Sequence, residues 1–136
     1  MAKTDCASVV LVVLASCLLH TVIADSSPTL YELPSNATVI NGGPIATGFS
    51  CDGLKYGYYA DLANGCRVFH VCYPYLDSEQ FLRTRMWSFI CGQDTVFNQV
   101  ALVCDHAQNS IPCEDSPNHY ETSNGYFGQT EINFRE

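Results

Sequence analysis

The sequence predicts a small disulfide-rich all-β domain flanked by flexible arms. Three observations lead there. The N-terminus reads as an export signal, six of the eight cysteines fall within residues 51–113, and the apolar residues between them come in short runs of β formers without helical spacing.

The signal comes first. Lys3 sits in a short polar start, residues 7–19 form an apolar run of Ala, Val, Leu, Ser and Cys, and Val22-Ile23-Ala24 supplies a small-residue cleavage site after Ala24. The run falls short of the roughly 20 residues that span a bilayer, and His20 interrupts its end. Removing residues 1–24 from 136 leaves 112, and Cys6 and Cys17 go with the signal. The mature chain is expected to be secreted and extracellular, with no membrane insertion, in a compartment where disulfides persist.

Charge narrows the partners. Fourteen Asp and Glu stand against six Lys and Arg, a net charge of −8. A nucleic-acid binder carries a basic stripe, so no nucleic-acid partner is expected. The same balance argues against an anionic membrane surface.

Residues 25–48 read as a flexible arm punctuated by Pro28, Pro34, Gly42-Gly43 and Pro44. Within it, Asn36-Ala37-Thr38 is a glycosylation sequon, which makes Asn36 a site where a glycan could be attached. Residues 115–136 read as an acidic, disordered tail, whose Tyr120, Tyr126, Phe127 and Phe134 could engage a matrix or receptor protein. The domain itself is expected at residues 49–114. So short a segment barely offsets its chain entropy by apolar burial. Three disulfides at about 2–4 kcal/mol each are on the scale of a whole domain's net stability.

Within the domain, residues 67–72 (Arg-Val-Phe-His-Val-Cys) are rich in β formers and follow the Asn64-Gly65 turn signal. Alternation puts Cys66, Val68, His70 and Cys72 on one face and Arg67, Phe69 and Val71 on the other. Phe89-Ile90-Cys91 and Thr95-Val96-Phe97-Asn98 are further short strands. Leu102-Val103-Cys104-Asp105 follows a three-residue connection, so the last two strands read as a hairpin. Residues 75–85 are charged and irregular and are expected to form a loop with at most one helical turn. Phe89 and Phe97 are assigned to the core.

From Cys51, the cysteines are separated by 14, 5, 18, 12 and 8 residues. Six cysteines allow about 15 connectivities, and spacing alone does not choose among them. The pattern resembles the type-2 chitin-binding domain of the peritrophin-A family. So do the words around it: Gly57-Tyr58-Tyr59-Ala60-Asp61, Val68-Phe69-His70-Val71-Cys72, Thr95-Val96-Phe97-Asn98 and Cys104-Asp105. The resemblance implies disulfides Cys51–Cys72, Cys66–Cys113 and Cys91–Cys104, the last also favoured by hairpin geometry. It implies a three-stranded antiparallel sheet followed by a two-stranded hairpin. Two departures stand out: residues 73–88 are long for the family, and His106 stands where many members have an aromatic after Cys-Asp.

The resemblance implies binding of chitin or a chitin oligosaccharide. That polymer is neutral, with flat C–H faces that suit aromatic rings and polar edges that suit short side chains. Tyr58, Tyr59 and Phe69 are the expected platform, with one of the two adjacent tyrosines packed and the other exposed. Asn98 and Asp105 are expected hydrogen-bonders, with His106 beside them, although Asn98 could instead cap the hairpin turn and Asp105 accept a structural hydrogen bond. Trp87 is either a partner anchor or the lid of the core.

Catalytic readings find no support. No C-x₂-C or H-x₃-H pair points to zinc. Asp52, Asp61, Asp94 and Asp105 show no sign of a paired-carboxylate cleft. No Ser lies in a G-x-S-x-G elbow, and the histidines have no assignable orienting partner. The expected protein is thus a non-catalytic binding module without cofactor or metal. It would serve a cuticle, peritrophic or related matrix. The alternative is the same scaffold reused as a secreted effector, such as a venom component or a soluble immune protein, acting on a protein target.

Overall fold

The computed structural model describes residues 31–131. The expected export signal, residues 25–30 of the arm and Phe134 of the tail lie outside them. The described chain runs through a short helix α1 (Ala37–Asn41), strands β1 (Gly57–Ala60), β2 (Val68–Leu76) and β3 (Leu82–Ile90), the hairpin strands β4 (Thr95–Asn98) and β5 (Val103–His106), a 3₁₀ helix (Cys113–His119) and a final turn of helix α2 (Tyr120–Ser123). Strands β1, β2 and β3 form one antiparallel sheet in that order, and β4 pairs with β5 in a second.

Register follows from the alternation around the second and third cysteines. Tyr59 faces His70 and His70 faces Ser88, while Tyr58 faces Val71 and Val71 faces Trp87. One face therefore carries Tyr59, Val68, His70, Cys72 and Met86, and the other carries Tyr58, Phe69, Tyr73, Tyr75, Trp87 and Phe89. Val68, His70 and Cys72 are fully buried, as their shared face predicts. The three disulfides join Cys51 to Cys72, Cys66 to Cys113 and Cys91 to Cys104.

The sheet is longer than the sequence suggests. Residues 75–85, expected as a loop, are the end of β2, a tight turn and the start of β3. The turn is held by Asp77, whose carboxylate accepts from the N–H groups of Glu79 and Phe81 and from Arg83 Nε, each at 2.9 Å. Pro74 is tolerated inside β2 because its nitrogen faces the side where β1 has already ended, its last partner being Cys72.

Two small cores result. Ala60, Cys66, Cys91 and Phe97 form one, beneath the hairpin, and Cys51, Tyr59 and Cys72 form the other, on the opposite face.

The flanks differ from the expected arms. Tyr31 is buried, its ring 4.7 Å from His70, and its hydroxyl oxygen accepts from Phe49 N–H. Ala46 exchanges two hydrogen bonds with the Asn64 side chain, at 2.9 Å each. At the other end, residues expected to be disordered from 115 onward dock on the sheet. Ser116 is fully buried, and Tyr120 Oη donates to Ala60 O at 2.7 Å. Polar composition suggested disorder, but these residues cap backbone, and Tyr120 and Phe127 pack on the rings of Tyr59 and Tyr58.

The outer edge of β1 shows how. Gln99 accepts from Ala60 N–H and donates to Tyr58 O, both at 2.8 Å, while Asn124 accepts from Tyr58 N–H and donates to Tyr58 O, both at 2.9 Å. Two side-chain amides thus stand in for a neighbouring strand. Gly57 makes room, since a Cβ there would lie 2.4 Å from Asn124 Cγ.

Candidate functional site

The face opposite the buried cysteines is an aromatic surface. Phe97 of the hairpin stacks on Phe69 at 4.3 Å between centroids, and Phe69 stacks on Phe89 at 5.3 Å. A second group runs from Tyr58 through Phe127 and Tyr56 to Tyr73, with centroid distances of 4.8, 4.6 and 5.0 Å. Tyr73 lies parallel to Tyr75 at 5.9 Å and beside Trp87 at 6.4 Å, and the Arg85 guanidinium sits 5.1 Å from the Tyr75 ring. Trp87 and Phe89 are 43% and 45% exposed, and Tyr56 and Tyr73 nearly as much. Exposed large aromatics clustered on one rigid sheet form a surface made for flat, partly apolar ligands.

The expected site residues divide. Tyr58 and Phe69 lie on this face, 6.1 Å apart, but both are half-buried and carry the exposed rings from below. Tyr59 does not belong to it. Its ring is 3% exposed on the opposite face, edge-on to Tyr120, and its hydroxyl donates to Lys55 O. Burial, followed by the nearby Glu121 charge, raises the pKa of that phenol. Phe97 is core as expected, whereas Phe89 is not, because β3 is the sheet's outer strand and the hairpin covers only Phe69.

Asn98 is structural. It is buried, its Oδ1 accepts from Val100 N–H at 3.1 Å, and its Nδ2 donates to Asn109 O. Asp105 accepts from His106 N–H and Asn109 Nδ2. The Asn109 bond first, and then the His106 amide, hold its carboxyl below the ordinary value. His106 is exposed, with Nδ1 at 3.2 Å from Asp94 O. Asn36 is exposed just before α1, with no capping bond from its side chain.

Tyr73, Tyr75, Trp87 and Phe89 were the residues sequence reasoning missed as a group. A signal was present. Period-2 alternation carried past Cys72, through Pro74, places Tyr73 and Tyr75 on the Phe69 face, and the β2–β3 register adds Trp87 and Phe89 to it.

The buried face holds a polar chain that also escaped the sequence reading. His70 Nε2 lies 2.9 Å from Asp61 Oδ2, and His70 Nδ1 lies 2.9 Å from Ser88 Oγ. His70 thus has an orienting partner, contrary to expectation. An ionised carboxylate only accepts, so Nε2 carries the proton. Asp61 also accepts from Asn64 Nδ2 at 2.7 Å and from Ala63 N–H at 2.9 Å. Burial pushes its carboxyl pKa up, but the bonds from His70, Asn64 and Ala63 and the His70 charge outweigh it, so the group sits below the ordinary value. Phe49 stacks on the His70 ring at 4.1 Å and Tyr31 closes it from another side. The imidazole is fully enclosed, which makes this chain a fastener between β1, β2 and β3. Close by, Tyr120 is pushed up to about 12 by burial and then by the charge of Asp61.

Among the described residues, no cluster of three or more His, Cys, Asp or Glu side chains could hold a metal ion. No helix among them is long and apolar enough to cross a membrane.

Comparison with known proteins agrees with the disulfide frame. The model of the chitin-binding peritrophin-A domain, a non-catalytic carbohydrate-binding family, matches residues 51–113. U-scoloptoxin(01)-Cw1a of Cormocephalus westwoodi is 38% identical over 101 residues, 74% of this chain and 75% of its own length. U-scoloptoxin(01)-Er1a of Ethmostigmus rubripes is 33% identical over 105 residues, 77% of this chain and 78% of its own. No solved structure gives a significant match. The family match spans all six disulfide cysteines and the three strands that display the aromatic surface, and the chain belongs to the chitin-binding peritrophin-A domain family.

Proposed function

We propose that this is a secreted, non-catalytic protein that binds β-1,4-linked N-acetylglucosamine polymer on the aromatic face of its three-stranded sheet. The observation that carries the reading is the exposure of Trp87, Phe89 and Tyr73 together on one face of a disulfide-anchored sheet. Trp87 and Tyr73 present rings to the C–H faces of successive sugars, and Arg85, held over Tyr75, reaches the hydroxyl and amide edges. By analogy with base stacking, each ring contributes on the order of 1–3 kcal/mol, so two rings carry most of the affinity. Tyr59 lies on the buried face, so it does not form the platform.

The test is retention of the oxidised protein on crystalline chitin beside cellulose. Wild type should be retained on chitin, and a Tyr73→Ala, Trp87→Ala double variant should be washed off with its folding unchanged. Equal retention of the variant would move the site elsewhere.

A second reading draws on the relatives, both of which are named as toxins. In it the domain is a secreted effector, and the same aromatic face meets a protein target. A wild-type protein that chitin does not retain favours it.

A further inference from the structure

The two edges of the three-stranded sheet are treated differently. The β1 edge is closed by the Gln99 and Asn124 amides, whereas the β3 edge has no backbone partner among the described residues. Cys91 N–H donates to Arg67 O, and Asp77 N–H to Phe81 O, in line with the β2–β3 register. Odd-numbered residues of β3 therefore bond to β2, and the N–H and C=O groups of Leu82, Thr84, Met86, Ser88 and Ile90 point outward. Tyr31 and Glu32 bound a groove of about 550 Å³ along this edge, from Thr84 to Phe89. The strand has no proline and no bulge, and its two charges, Arg83 and Arg85, both lie on the aromatic face, where Arg85 sits over the Tyr75 ring.

From this edge we infer that β3 pairs with β3 of a second copy, antiparallel and centred on Met86, to give a continuous six-stranded sheet. The sequence of β3 is self-complementary in that register. Leu82 meets Ile90, Thr84 meets Ser88, and Met86 meets its own copy, so every outward-pointing backbone group finds a partner. On the aromatic face, Arg83 meets Phe89 and Arg85 meets Trp87, so each guanidinium opposes a ring and no like charges face each other. A shift of two residues to centre on Thr84 would set Arg83 against Arg85 and strip Ser88 and Ile90 of partners. The two-fold geometry is isologous and closes at two copies, because the far edge of each sheet is already capped.

The pairing is carried by strand geometry and stands whether or not the face binds sugar. Its consequence for a polymer ligand is a doubled, coplanar aromatic surface that engages two stretches of one chain at once. Net charge of −8 opposes association at long range, so added salt should tighten the dimer.

Sedimentation equilibrium of the oxidised protein, from about 10 μM to about 1 mM, reads the association directly. The molecular mass should rise toward twice the monomer value. Met86→Pro removes an outward N–H without touching the β2 ladder, and should weaken the dimer at least about tenfold. Register is tested by mixing Arg85→Cys protein with Trp87→Cys protein, whose Cα atoms would stand about 4.5 Å apart, within disulfide reach. The mixture should form a cross-linked heterodimer that neither variant forms alone. A protein that stays monomeric at about 1 mM, or a dimer that does not cross-link at this pair, overturns the inference.

Discussion

Replacing Asp61 by alanine tests the polar fastener of the buried face. The carboxylate accepts from His70 Nε2, Asn64 Nδ2 and Ala63 N–H, and the residue is 2% exposed. The variant leaves three donors without an acceptor. His70 is fully buried beneath Tyr31 and Phe49, and Asn64 is buried between the turn and Ala46, so water reaches neither easily. An orphaned buried donor costs about 1–3 kcal/mol, and the Ala63 bond, a cap on the Leu62–Asn64 turn, about 1 kcal/mol. The sum is about 3–7 kcal/mol, a large share of the roughly 5–15 kcal/mol that holds a domain together. Guanidinium unfolding with disulfides intact, followed by circular dichroism, measures it. A loss below about 1 kcal/mol would refute the reasoning. Ser88→Ala is the internal control, since Ser88 lies half-buried on the outer strand and should cost less.

Three further outcomes follow from the same structure. Because the folded Asp61 pKa lies below its ordinary value, its stabilisation is present above the unfolded pKa and is lost as pH falls through the folded one. The stability gap between wild type and Asp61→Asn should therefore be full at about pH 6 and close toward about pH 2, in unfolding curves taken across that range. Gly57→Ala should push Asn124 off the β1 edge, and faster amide exchange at Tyr58 and through α2 would report it; unchanged exchange would remove the edge-cap argument. Phe97→Ala should cost about 3–5 kcal/mol and Phe89→Ala under about 1 kcal/mol in thermal or chemical unfolding, with equal losses contradicting their different burial.

Much of this frame was legible in the chain. Alternation from Val68 to Cys72 assigned the buried face correctly, because β2 is flanked on both sides there and has a dry face to fill, whereas Cys66, expected on that face, precedes the strand at a positive φ and packs in the other core with Ala60, Cys91 and Phe97. The hairpin was legible from two β-rich words around a short connection. Beyond Cys72 the argument failed. Pro74 and the charged residues Asp77, Arg83 and Arg85 look like a loop, yet they suit a strand pair that has lost its third neighbour and faces water. The aromatic face went unrecognised with it, since Trp87 and Phe89 become exposed only when β3 is an outer strand. The docking of residues 113–124 was hidden for another reason. It rests on Gln99, Tyr120 and Asn124 meeting the backbone of β1, contacts between side chains about 40 to 66 positions away and main-chain groups, which no local pattern announces. Likewise, Asp61, His70 and Ser88 align only through the register of three strands.

The most direct test of the proposed platform uses Trp87 itself. It is the single tryptophan of the chain, so the intrinsic tryptophan emission reports on the proposed platform alone. Titrating the oxidised protein with N-acetylglucosamine oligomers of increasing length should give a saturable change in that emission, with affinity rising as the oligomer spans Trp87 and Tyr73. Binding that leaves the emission unchanged would contradict the account, as would no binding by an oligomer long enough to cover the face.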